Sequence, residues 1–317
     1  MQANETISVV KGFGMQIKSS LAILGLCLFA LAGSAAAAPT GAALCVTCHD
    51  EEDLPDMSKT AHGFAADKRA PDCTTCHGDS LKHTKKPSAN KPDRMFIREL
   101  ALPAAERSEV CLTCHNKDAK RALWSGSQHS NADIACNSCH KIHSNNDKAL
   151  SKAMQNDLCF TCHKEQRTQV NKPSHHPLPE GKMVCTDCHN PHGSAGPKLV
   201  KRDSTNATCY TCHAEKRGPF VHQHDPVSED CSNCHNPHGS VIGSMLKSRP
   251  PLLCQQCHTP HAAGAVGAVS KSGDPIPASG KNVANLWQGR SCLNCHTQIH
   301  GSNNPSSTNP TPQLMMR

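Results

Sequence analysis

Large apolar side chains are scarce in this chain. Its 317 residues include two Trp, one Tyr and six Phe, and the hydrophobic fraction of 37% already counts 21 Cys. A chain so poor in core-forming residues stays disordered unless something other than Leu and Val fills its interior. Strand-like alternation is also missing, so little or no β-sheet is expected. Beyond the N-terminal segment no continuous apolar stretch is long enough to cross a bilayer.

The N-terminal segment, 1–38, reads as an export signal. Lys18 supplies a positive start, Leu21 to Ala32 form an apolar run, and Ala35 to Ala38 offer small residues for cleavage. The run is about 12 residues against the roughly 20 a membrane span needs. Cys27 lies within it and would leave with it. About 280 residues follow, rich in the two residue types that can hold a cofactor, Cys and His.

Cys-x-x-Cys-His occurs ten times, numbered here as sites 1 to 10 in chain order. The first five are Cys45-Cys48-His49, Cys73-Cys76-His77, Cys111-Cys114-His115, Cys136-Cys139-His140 and Cys159-Cys162-His163. The second five are Cys185-Cys188-His189, Cys209-Cys212-His213, Cys231-Cys234-His235, Cys254-Cys257-His258 and Cys292-Cys295-His296. Random scatter of these residues would produce about 0.1 copies. Two cysteines three apart lie on one side of a single turn, where each can form a thioether with a haem vinyl group. The adjacent His then faces the iron. Zinc knuckles and disulfide scaffolds also use paired cysteines, but neither needs a His after every pair. Ten covalently bound c-type haems are therefore expected.

Twelve further histidines remain. His62, His83, His129, His143, His176, His192, His224, His238, His261 and His300 fall at matching places, one between the two motifs of each consecutive pair and one shortly after the second. The chain reads as five repeats of a two-haem unit, starting near Cys45, Cys111, Cys159, Cys209 and Cys254, with two spare imidazoles per unit for the sixth iron positions. His175 and His222 are surplus, being out of line with the other units. Met residues do not follow the repeat. Which spare His serves which site is not readable from spacing.

A haem enzyme needs an open iron position, and two imidazoles per iron leave none. No motif replaces its His by Lys, and Tyr210, the single tyrosine, sits inside a motif where packing is its expected role. No catalytic residues are expected; the reading is an electron carrier. Roughly 28 residues per haem is too little peptide to insulate the cofactors from one another. The formal charge of +7 becomes about −4 when oxidised and about −14 when reduced, once the signal is removed and twenty propionates are counted. It is no sign of a nucleic-acid partner. Arg167 and Arg217, just after haem motifs, are expected to pair propionates.

The fold expected is a multihaem cytochrome c of mostly short helices and loops wrapped on an extended chain of ten haems. A break near Lys172 to Lys182 would divide it into pentahaem modules at 39–171 and 172–300, with a disordered tail at 301–317. A helix is expected around Phe96 to Leu102, and a loop from Ala262 to Arg290.

Asn190-Pro191-His192-Gly193-Ser194, its copy at Asn236, CYTCHAEKRGP at Cys209, LCQQCH at Leu253 and GRSCLNCHTQIHGSN at Gly289 carry a resemblance. The chain resembles the MtrA/DmsE family of periplasmic decahaem cytochromes c across nearly all of its length beyond the signal. The resemblance implies bis-His ligation and two modules similar to the pentahaem cytochrome NrfB. It also implies a periplasmic protein inserted in an outer-membrane β-barrel of the MtrB type. There it would link periplasmic or inner-membrane cytochromes to an extracellular multihaem cytochrome or terminal reductase, in extracellular respiration or iron oxidation. A soluble periplasmic shuttle donating to a reductase is the alternative.

Overall fold

The computed structural model describes residues 41–49, 57, 60–63, 69–97, 101–258, 292–294 and 296–303. The expected signal, the loop from Ala262 to Arg290, His261, Cys295 and the tail beyond Asn303 lie outside them. Twelve short α-helices follow one another among the described residues. They are α1 (Ala42–Cys45), α2 (Cys73–His77), α3 (Leu81–Lys85), α4 (Ala104–His115), α5 (Gln128–Asn131) and α6 (Cys136–Cys139). After them come α7 (Lys152–Phe160), α8 (Lys164–Val170), α9 (Cys185–Cys188), α10 (Thr205–Cys209), α11 (Asp225–Glu229) and α12 (Leu252–Gln255). No strand occurs among the described residues, only four isolated bridges, and no described helix is long and apolar enough to cross a membrane. The fold is thus the helix-and-loop type that the sequence pattern requires.

The ten motifs divide into two local forms that the repeat alone did not reveal. Odd-numbered motifs end a helix: α1, α4, α7, α10 and α12 run into sites 1, 3, 5, 7 and 9. Even-numbered motifs begin one: α2, α6, α9 and the 3-10 turns Cys231–Asn233 and Cys292–Asn294 start on the first Cys. Side chains inside the motifs explain the difference. Thr47, Thr113, Thr161 and Thr211 donate their hydroxyls back to the carbonyls of Leu44, Val110, Leu158 and Thr208 at 2.7–2.8 Å, tightening a helix end. Helix starts are capped instead. Asp72 Oδ1 accepts from Thr75 N at 2.8 Å, and Asp187 Oδ2 accepts from Val184 N at 2.9 Å, contacts each worth about 1 kcal/mol.

The expected helix around Phe96 to Leu102 does not form among its described residues. Phe96, Ile97, Ala101 and Leu102 are not helical, and Leu102 N donates to Met95 O in a loop. Helix α4 begins at Ala104 because Pro103 (φ −49°, ψ 150°) stands at its N-cap, and proline there cannot continue a helix backwards.

Apolar burial is as thin as the composition implies. Ala104, Trp124, Ala135, Val170, Val184 and Val200 are the buried hydrophobic residues described. Polar ties do more to join neighbouring motifs. Three residues before the first Cys of sites 3, 5 and 7 stand Ser108, Asn156 and Asn206. Each accepts from the backbone N–H of the first Cys of the following site, Cys136, Cys185 and Cys231, at 3.4, 3.0 and 2.7 Å. Asn206 is buried, and its amide also donates to Val227 O and Ser228 O.

A second repeated device joins one unit to the next. Ser174 and Ser240 exchange backbone hydrogen bonds at 3.0 and 2.8 Å, and His222 and Ser302 do the same at 2.8 and 2.9 Å. The turn that leads into Ser240 and Ser302, repeated before Ser194, requires glycine. Gly193, Gly239 and Gly301 have φ of 115°, 141° and 129°, and an added Cβ would fall 2.2 Å from Leu123 O, Gln169 O and Phe220 Cδ2 respectively.

Candidate functional site

Within each motif the backbone N–H of the His donates to the carbonyl of the first Cys, as at His49, His140, His163, His189, His213, His235, His258 and His296 (2.9–3.1 Å). That single closed turn brings both thiols and the imidazole to one side, the arrangement two thioethers and an axial ligand demand. The described cysteines are all free of disulfides.

Each motif histidine from site 1 to site 9 faces one, and a different one, of the other histidines singled out in the sequence. The pairs are His49–His83, His77–His143, His115–His62, His140–His192 and His163–His129. The remaining four are His189–His238, His213–His176, His235–His300 and His258–His224. Their ring centroids are 6.0–6.2 Å apart. An iron held on both sides by imidazole nitrogen at about 2.0 Å, plus roughly 1.1 Å from nitrogen to ring centre, requires about 6.2 Å. The spacing fits a haem iron. It is too wide for ligands of one tetrahedral zinc.

The outward nitrogens fit as well. Nδ1 meets a backbone carbonyl at His77 (Arg94, 3.1 Å), His83 (Asn90, 2.9 Å), His129 (Pro191, 2.9 Å) and His176 (Pro237, 2.8 Å). The same holds at His189 (Lys198, 3.0 Å), His224 (Ile299, 3.1 Å) and His235 (Ser244, 2.8 Å). His140 meets the carboxylate of Asp147 at 2.7 Å. Such bonds place the proton on Nδ1 and leave Nε2 for a metal. Burial pushes His115, His143, His189, His238 and His300 toward the neutral, ligating form, and His192 down to about 4.

The surplus histidines are placed otherwise. Both ring nitrogens of His175 are occupied, Nδ1 by Lys172 O and Nε2 by Glu180 Oε1 at 3.1 Å. His222 contributes its backbone to the bridge with Ser302. His296 is described, whereas its expected companion His261, and Cys295, are not.

The pairing runs across the two-site units. His129 and His143 lie in the unit of sites 3 and 4, yet they face His163 of site 5 and His77 of site 2. His176 and His192 lie in the unit of sites 5 and 6 and face His213 of site 7 and His140 of site 4. The joining device explains this. His129, His176 and His224 hydrogen-bond the carbonyls of Pro191, Pro237 and Ile299, each directly preceding His192, His238 or His300.

Thiols carry the series onward in chain order. Donation of its proton to Cys136, with burial, pushes the Cys111 thiol up, and donation to Cys185 and Cys231 does the same for Cys159 and Cys209. Burial and Cys73 raise Cys45, and burial and Cys292 raise Cys254 to about 11. Between those pairs, Cys76 lies near Cys114, Cys139 near Cys159, Cys188 near Cys209 and Cys234 near Cys257. Sites 1 to 10 therefore adjoin one after another.

Sequence reasoning passed over Ser108, Asn156, Asn206 and Asp147. The first three share an offset from their cysteines, which was a readable signal; Asp147 has none.

Known proteins match along the chain. A family described as Doubled CXXCH motif covers residues 175–218 and 224–263, and one described as Cytochrome c-type protein NrfB-like covers 73–154. Together with the paired imidazoles, these matches define a multihaem c-type cytochrome, an electron-transfer protein with covalently bound haem. The Multiheme cytochrome MtrA of Shewanella baltica (strain OS185) is 45% identical over 275 residues, 84% of this chain and 80% of that protein. The chain belongs to the MtrA family of multihaem cytochromes. It is also similar to the Cytochrome c-type protein NrfB of Escherichia coli O6:H1, 31% identical over 43% of this chain and 73% of that one, and to NrfB of Haemophilus influenzae, 28% identical over 39% and 65%.

Proposed function

We propose that the chain carries ten c-type haems and conducts electrons along them across the outer membrane of a cell envelope. The thioethers come from the twenty motif cysteines, and the proximal ligands are the ten motif histidines. The distal ligands follow the nine observed pairs, with His261 serving His296 at site 10. Each bound haem supplies a one-electron ferric–ferrous couple, at the low end of the potential range for bis-His ligation. The residues of the chain would aim an imidazole at each iron from both sides, leave no position for a substrate, and set the ten sites side by side in order. That unbroken order carries the reading. The division into 39–171 and 172–300 gives five sites to each part, and the His140–His192 pair crosses it.

The setting proposed is the periplasm, with the chain inserted in an outer-membrane β-barrel of MtrB type. It would join periplasmic or inner-membrane cytochromes to an extracellular multihaem cytochrome or terminal reductase. The likeness to MtrA over most of both chains supports this. A soluble shuttle donating to a reductase is the second reading, favoured by the NrfB-like segment 73–154. Pyridine haemochrome assay should give ten haems per chain, and electron paramagnetic resonance of the native ferric protein should find them all low-spin. Liposomes carrying the chain with its barrel should pass electrons to an external acceptor. Passage only in solution, with no barrel co-purifying from detergent-treated outer membrane, would favour the shuttle.

A further inference from the structure

Among the hydrogen-bonded proximal and distal imidazoles described above, seven present Nδ1 to a neutral backbone carbonyl. His140 alone presents it to a carboxylate within hydrogen-bond reach, Asp147 Oδ2 at 2.7 Å. The pair is shielded, with side-chain exposures of 27% for His140 and 13% for Asp147. The carboxylate is also held in place, since its Oδ1 accepts from Ala149 N at 3.0 Å and its own carbonyl accepts from Leu150 N at 3.0 Å. The nearest comparable contact is His213 Nδ1 with Glu215 at 3.7 Å, where both side chains are more than half exposed and solvent screens the charge. At the adjoining site 3 the Nδ1 neighbour is an ion pair and not a lone carboxylate. Arg121 Nη2 lies 3.5 Å from His115 Nδ1 and is paired to Asp118 at 2.6 Å.

We infer that Asp147 is a potential-setting residue that makes site 4 the most reducing haem of the first five sites. A carboxylate accepting the Nδ1 proton makes the imidazole a stronger donor and adds negative charge beside the iron. Both effects favour the ferric over the ferrous state. Adjoining site 3 has no unpaired carboxylate on its Nδ1, so a step in potential falls between sites 3 and 4. An electron passing site 4 climbs before it descends. When the chain is partly reduced, site 4 stays oxidised and separates the electrons held on its two sides.

The inference rests on His140 and His192 being the axial ligands of site 4. The test is potentiometric titration of the full, haem-loaded chain, followed optically and by low-temperature electron paramagnetic resonance, in wild type, Asp147→Asn and Asp147→Glu. Asn keeps the shape and loses the charge. One of the ten components should move to higher potential, with at least a tenfold change in its reduced-to-oxidised ratio at fixed potential, about 59 mV for one electron. The other components should stay, and Glu should retain the wild-type value. An Asn variant with ten low-spin haems and no moved component, or a shift spread over many components, overturns the inference. So does a Glu variant that behaves as Asn does, or an Asn variant whose haem uptake fails in a way that Glu does not repair. High-spin iron in the wild type would instead overturn the ligand reading itself, which separates the two failures.

Discussion

The first two-site unit and the interior units are built from the same parts but are closed differently. At site 1 the imidazole opposite His49 is His83, from the same unit, with Nδ1 held by Asn90 O a few residues on. Interior units give their histidines away: one to the unit behind and one to the unit ahead. The side-chain tie between paired motifs differs too. Ser108, Asn156 and Asn206 fill the place that Ala42 holds before Cys45. The end unit thus resembles the cap of a repeat array, which satisfies itself on the side where no neighbour exists. Interior units are joined by facing histidines as well as by packing, so none of them is complete when taken alone.

The largest effect that could break this contrast is loss of a distal histidine. His129→Ala should leave one haem in ten high-spin, at site 5 and not in its own unit. The signal should vanish when Cys159 and Cys162 are also replaced, and persist when Cys136 and Cys139 are replaced instead. His83→Ala should open site 1, within its own unit. Absorption near the high-spin charge-transfer band reads both.

Next comes the turn that sews interior units together. Gly239→Ala combines a φ of 141° with an overlap on Gln169 O, and about 2–4 kcal/mol of stability should be lost in a thermal melt of the ferric protein. Asn206→Ala should follow. It strands the N–H of Cys231 and two carbonyls, at about 2–3 kcal/mol. The smallest change is Gly181→Ala. Its φ is 68° but nothing lies within 4 Å of the added carbon, so about 1 kcal/mol should be lost. Equal losses at Gly181 and Gly239 would mean that the close approach between units contributes nothing.

The local part of this architecture was legible in the sequence, and the long-range part was not. Cysteine spacing and the adjacent His close on a single turn, so ten sites, short helices and scant sheet follow from the residues themselves. Pairing of imidazoles depends on how the chain returns past itself. Nothing in the spacing of His129 says that it reaches forward to His163, because His115 and His140 both lie nearer along the chain. The tie between paired motifs was present as Ser108, Asn156 and Asn206 at one offset. Its changing residue type hid it. The helix expected around Phe96 to Leu102 shows a different limit: Pro103 sets the start of α4 at Ala104.

Interleaved histidines also impose an order on maturation as the chain emerges from its N-terminus. His62, His129, His176 and His224 come before the odd-numbered motifs that they face, so sites 3, 5, 7 and 9 meet a waiting partner on arrival. Sites 2, 4, 6 and 8 must remain half-dressed until His143, His192, His238 and His300 appear. On the ligation proposed above, a newborn molecule would pass through a stage in which finished and vacant centres alternate along it.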